Sequence, residues 1–186
     1  ALAPKVNISA DLKVAEGHLF LESAEYFVDS GVWVQSETQN IYVEPTQGSS
    51  GSMRSNTPVT WRSASDLTFE VPMTVFGSGS MMFQADSDDD SAGTLSFSSV
   101  ADVTVTESDV QQIVVTGADI ILESLVKAVQ ANVTVQVSNY SGSTLSVGAN
   151  HGGMHLSDAE LDRITTTTTL TLGSLQTDKV YFDGVS

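Results

Sequence analysis

The chain has 186 residues, with 23 acidic side chains against seven basic ones and a formal net charge of −16. A surface this anionic is repelled by phosphate backbones and acidic lipid headgroups, which excludes nucleic acid and membrane surfaces as natural partners. Cysteine is absent, which excludes disulfides and thiolate metal sites, and no run approaches the roughly 20 apolar residues of a membrane-spanning helix.

From the N-terminus, short runs rich in β-branched and aromatic residues alternate with small polar breaks. ADLKV from Ala10, HLFLES from His18, VWVQS from Val32 and NIYVEP from Asn40 alternate apolar with polar residues, the period that puts one side of a strand in a core and the other in water. Trp33, Tyr42 and Trp61 supply aromatic faces suited to sugar stacking, and equally suited to filling a core. GSSGSM from Gly48 is read as a turn, and LTFEVPM and SMMFQA as the next strands.

The densest charge follows in QADSDDDSAG, with Asp86, Asp88, Asp89 and Asp90. Carboxylates at this spacing suit a hard cation, calcium above all, and equally a solvated loop tip. The run is not an EF-hand loop: counted from Asp86, the sixth and twelfth positions are Ser91 and Phe97 rather than Gly and Glu.

TLSFSS, DVTVTES, QIVVTG and DIILES continue the strand pattern, and LESLVKAVQ reads as strand and turn rather than helix. NVTVQVS and STLSVG follow. Glycosylation sequons stand at Asn7, Asn132 and Asn139. His151 and His155 have the spacing that brings two imidazoles to one face of a helix, but two glycines lie between them, so a turn is expected and no metal site. Of the cations, Arg54, Arg62 and Lys127 are the residues that could act as a base in a polysaccharide-cleaving site, and nothing in the spacing sets them beside the acids.

In LSDAELDRITTTTTLTLGS, Ser157 followed by Glu160 makes a capping box, and Leu156 with Leu161 occupies the positions of a hydrophobic staple. One helical turn is expected, ended by the χ1-restricted threonines, which then enter a strand and stack on the neighbouring rung. KVYFDG supplies one more strand.

About a dozen short strands make the class all-β. ADLKV at Ala10, ADVTV at Ala101 and ADIIL at Ala118 repeat one pattern at drifting spacing, as FLES at Phe20 and ILES at Ile121 repeat another. Imperfect repetition of this kind favours a β-solenoid, with a β-sandwich or jelly roll as the alternative.

SDAELDRITTTTTLTLGS, with LQTDKVYFDG after it, resembles the recurring segment of large surface proteins of the filamentous haemagglutinin type, over Leu156 to Gly184. The resemblance implies a right-handed parallel β-helix and a secreted or cell-surface, adhesive or structural role. Residues 1–186 are accordingly expected to be a single solenoid segment excerpted from a longer chain. No cofactor is required, calcium being the one cation the Asp cluster suggests. The expected partners are a second copy or a continuation of the same chain, and carbohydrate. No nucleophile elbow, zinc-protease helix or phosphate loop is present, so a non-enzymatic role is expected. A carbohydrate-binding β-domain and a polysaccharide-active β-helix enzyme are the alternatives.

Overall fold

A computed structural model describes residues 4–138, 142–175 and 177–185. The chain runs in successive passes of two to four strands. The first carries β1 (Lys5–Ile8), β2 (Leu12–Val14) and β3 (Leu19–Ser23), and the second β4 (Glu25–Val28), β5 (Val32–Ser36) and β6 (Ile41–Pro45). The third has β7 (Met53–Ser63) and β8 (Leu67–Phe69), and the fourth β9 (Met73–Gln84) and β10 (Thr94–Phe97). The fifth has β11 (Val103–Val105), β12 (Val110–Gly117) and β13 (Asp119–Leu122), and the sixth β14 (Val126–Lys127), β15 (Asn132–Val137), β16 (Thr144–Gly148) and β17 (Met154–Leu156). A single helical turn, α1 (Asp158–Leu161), leads into β18 (Ile164–Thr165), β19 (Leu170–Leu172) and β20 (Lys179–Asp183).

Every pairing among the described strands is parallel and joins one pass to the next, except where β16 pairs β17. Antiparallel hairpins are what a sandwich or jelly roll is built from, so those alternatives do not describe these sheets. The first ladder runs β1-β4-β7-β9-β11-β14-β18, and the second runs β2-β5-β7-β9-β12-β15-β19. The long strands β7 and β9 belong to both. The third ladder runs β3-β6-β8-β10-β13 and resumes as β17-β16-β20, with the Asp119 carboxylate accepting the His155 N–H at 3.3 Å across the break.

The register makes the core a set of columns. Tyr26, Met53, Met73, Val103 and Val126 stand level in the first ladder. Val34, Trp61, Phe83, Val115 and Val135 do so in the second. In the third, Val43, Phe69, Phe97 and Leu122 align. All are buried. Alternation along each strand thus sends one residue set inward, and parallel register stacks like on like.

The repeated Ala-Asp pairs have a physical role. Asp11 and Asp102 directly precede a strand and Asp119 is the first residue of β13, and each accepts a backbone N–H from the next pass. Asp11 takes Trp33 N at 2.9 Å, Asp102 takes Leu125 N at 2.9 Å, and Asp119 takes His155 N as above. Asp66, in SDLTF, takes Thr94 N at 3.0 Å. The carboxylate satisfies a donor at a strand start, where the ladder itself offers no carbonyl.

The helical turn forms as expected. The Ser157 hydroxyl accepts Glu160 N at 3.3 Å, and the Glu160 carboxylate accepts Ser157 N at 3.0 Å. Glu160 also accepts Leu122 N at 3.1 Å, which ties the turn to the end of β13. Ser157→Ala is expected to cost about 1 kcal/mol, read as a lower urea midpoint at unchanged slope.

The threonine block is a correction. Only Thr165 lies in a strand, while Thr166 to Thr169 form a bend between β18 and β19. Their hydroxyls do not stack on a rung. Thr166 and Thr168 donate to the Ala131 carbonyl at 2.7 Å each, and Thr167 donates to the Val129 carbonyl. Short hydroxyl side chains reach backbone carbonyls at a corner more readily than they propagate a ladder there.

Candidate functional site

The acidic run forms the turn between β9 and β10. Asp86, Asp89 and Ser91 take positive φ values of 54°, 59° and 69°, which aspartate tolerates better than most residues. Asp86 is fully buried. Its carboxylate accepts Asp90 N at 3.0 Å, Ser91 N at 3.1 and 3.2 Å, and the Ser138 hydroxyl from the sixth pass. Gly93 closes the turn because a Cβ there would fall 2.2 Å from Asp86 N. Arg62, on β7, donates to the Ser87 carbonyl at 2.9 Å. Nothing in the residue spacing signals that this cation stands beside the acids. Its role there is that of a hydrogen-bond donor to the turn's backbone.

Burial pushes the Asp86 carboxyl above its ordinary value, and the neighbouring Asp90 carboxyl adds to the rise, against the lowering effect of Ser138 and the backbone N–H groups. Carboxylate oxygens of Asp86, Asp88 and Asp90 lie within 4.8 Å of one another, and Asp88 and Asp90 are exposed. Asp89 is not in this group. A carboxylate has about four acceptor positions, and the four contacts to Asp86 occupy them. The donor set therefore fits a resident calcium ion poorly: two exposed carboxylates, Asp88 and Asp90, remain for it.

The three aromatic candidates do not share a face. Trp61 is fully buried, edge-on to Phe69 at 5.2 Å, so it cannot stack on a sugar. Tyr42 is half-buried on the outer side of the third ladder, stacked on Phe20 at 4.8 Å. Trp33 stands on the outer side of the second ladder and is 48% exposed. Alternation predicted Trp33 outward, but the same period puts Trp61 inward, level with Val34.

A groove lies on that outer side where β9, β12 and β15 run together. It encloses about 300 Å³ and is lined by Met82, Gln84, Thr116 and Gln136, with Asp89 and Ser174 at its rim. Register puts Gln84 level with Thr116, and Thr116 level with Gln136. Gln136 Nε2 donates to Thr116 Oγ1 at 3.1 Å, and Gln112 Nε2 donates to Thr134 Oγ1 at 2.8 Å. Gln84 makes no side-chain hydrogen bond to any described residue. These residues were not singled out in the sequence. The available signal was glutamine at outward strand positions, Gln84, Gln112 and Gln136, where either period-2 partner could have been polar.

The remaining candidates separate. His151 lies in the turn after β16, stacked on Tyr181 at 4.9 Å with Nε2 3.1 Å from the Asp183 carboxylate. His155 Nε2 lies 2.6 Å from the Gly148 carbonyl. The two imidazoles thus have different partners, and only His151 is a turn histidine, since His155 lies on β17. Asn7 and Asn132 are exposed on β1 and β15, and Asn139 lies outside the described residues. Arg54 packs over the Phe76 ring at 5.3 Å, away from the acidic turn. Among the described residues no helix is long and apolar enough to cross a membrane. Comparison with family models, with curated proteins and with solved structures finds no match to this chain.

Proposed function

We propose that the successive passes are coils of a right-handed parallel β-helix, and that the chain is a non-enzymatic structural and adhesive segment of a secreted or cell-surface fibrous protein. The observation that supports this reading best is the continuous parallel pairing of the first two ladders, with register shifts at Thr57/Val59 and Val110/Gln112, whose inward columns each coil covers for the next. A unit of this kind cannot bury its apolar side alone and gains stability by stacking.

Self-association end to end follows from the same geometry. β20 pairs with β16 and with no other described strand. Val180 and Phe182 stand level with buried Leu145 and Val147, on the inner side, yet they are 39% and 64% exposed. An unpaired strand edge with apolar inner residues and no proline is a template for another strand, and a second copy supplies one. No cofactor is required for this. Calcium on Asp88 and Asp90, beside Asp86, is a weak auxiliary of the acidic turn.

The test is sedimentation velocity with negative-stain microscopy, run with calcium and with a chelator. The expected result is concentration-dependent growth into linear particles, abolished by Phe182→Asp and little changed by chelation. A monomer at every concentration would remove self-association and leave the β20 edge to a continuation of the same chain.

A further inference from the structure

We propose that the outer groove over β9, β12 and β15 is a binding site for a neutral saccharide, and that an oligosaccharide held there extends across the strands toward Trp33. This goes beyond the structural reading, because a fibre can be built whether or not its flank binds sugar.

The lining decides the ligand class. Gln84 and Gln136 bring carboxamides, Thr116 a hydroxyl, and Met82 an apolar floor, with the Asp89 carboxylate at the rim. Carboxamides and hydroxyls donate and accept, which is what a ligand dense in hydroxyl groups requires. Among the described residues no cation and no aromatic ring lines the groove: Arg62, level with Gln84 on β7, gives its guanidinium to the Ser87 carbonyl at 2.9 Å, and the chain carries a net charge of −16, which disfavours phosphates and acidic sugars. A volume of about 300 Å³ sits at the small end of ligand clefts and suits one sugar unit rather than a large cofactor.

A second observation points the same way. The Gln84 carboxamide faces this groove half-buried and without a side-chain hydrogen bond to any described residue, so it can donate to and accept from a ligand there. On the β12 side of it the pattern differs: Thr116 is only 6% exposed and is bonded by Gln136. The groove is therefore deep at Thr116 and open at Gln84.

Trp33 lies on the same outer side. Trp33 stands level with Thr60, and Thr60 with Met82. Two strand spacings separate the ring from the groove floor, roughly 10 Å. A sugar chain leaving the groove over Met82 crosses Thr60 and reaches an exposed indole face, which stacks on the apolar face of a sugar ring.

The experiment is titration of the whole chain, by calorimetry and by NMR line broadening, with neutral hexasaccharides of glucose, mannose, galactose and xylose. The corresponding monosaccharides are titrated in parallel, with oligogalacturonate as the acidic control. At least one neutral series is expected to bind. Gln84→Ala and Gln136→Ala are expected to weaken both the monosaccharide and its hexasaccharide by about tenfold, one hydrogen bond's worth. Trp33→Ala should weaken the hexasaccharide alone. All three residues are outward-facing, and an unchanged melting temperature identifies a variant as folded. Binding by none of the neutral series, tighter binding of oligogalacturonate, or neutral binding unaffected by Gln84→Ala would each overturn the assignment. Since Phe182→Asp leaves this site untouched, its sugar binding reads the groove separately from fibre formation.

Discussion

Phe69→Ala is expected to lower stability by about 3–5 kcal/mol. Phe69 is fully buried on β8, where the third ladder faces the second. Its ring stacks on Phe97 at 5.3 Å and 12°, and meets Trp61 and Phe83 edge-on at 5.2 and 5.3 Å. Phe83 in turn meets Phe97 edge-on at 5.1 Å. Two ladders are thus joined by four rings, and Phe69 touches the other three. Truncation removes the ring's burial and about 0.5–1.5 kcal/mol for each aromatic pair, and the cavity cannot collapse because the neighbours are fixed by ladder hydrogen bonds on both sides. Domains of this size hold about 5–15 kcal/mol in total, so guanidinium unfolding should show a much lower midpoint. A loss below about 1.5 kcal/mol, the size of a volume-conserving swap, would mean that the ladders do not pack on each other as described.

What the sequence revealed, and what it hid, follows from how far each signal reaches. The strand runs were legible because alternation is local: Val32, Val34 and Ser36 buried between Trp33 and Gln35 is visible within five residues of chain. The capping box at Ser157 was legible for the same reason. The Ala-Asp repeat was visible as a pattern but its purpose was not, since Asp102 acts on a donor 23 positions later. Trp61 as a core residue, Arg62 beside the acidic turn, and the Gln84 groove all depend on which strand lies next to which, through offsets that vary from pass to pass. The threonine block misled for a physical reason. β-branching favours both a stacked strand and a corner whose hydroxyls bond to carbonyls, and only the carbonyls of Val129 and Ala131, in another pass, select the corner.

The same dependence on distant partners makes Asp86 the second position of large expected effect. Asp86→Ala is expected to cost about 2–3 kcal/mol, because the partly shielded Asp90 N and Ser91 N and the buried Ser138 hydroxyl lose their acceptor together. The pH dependence separates this from a plain packing loss. The Asp86 carboxyl is held above its ordinary value of 3.8, chiefly by burial. Between that value and the raised one, the folded chain keeps a proton that the unfolded chain has released. The folded state binds more protons there, so stability falls as pH rises through the interval. Asp86→Asn keeps an acceptor for Asp90 N and cannot ionise, and its stability should lose this fall while the other carboxylates keep theirs. Urea midpoints measured from acid to neutral pH read both effects. An Asp86→Asn variant that retains the full slope, or an Asp86→Ala variant as stable as the parent, would show that the turn is held by its backbone alone. The consequence reaches the groove as well, since Asp86 fixes the turn that carries Asp89 to its rim, and a turn released at Asp86 leaves that side of the groove without a fixed wall.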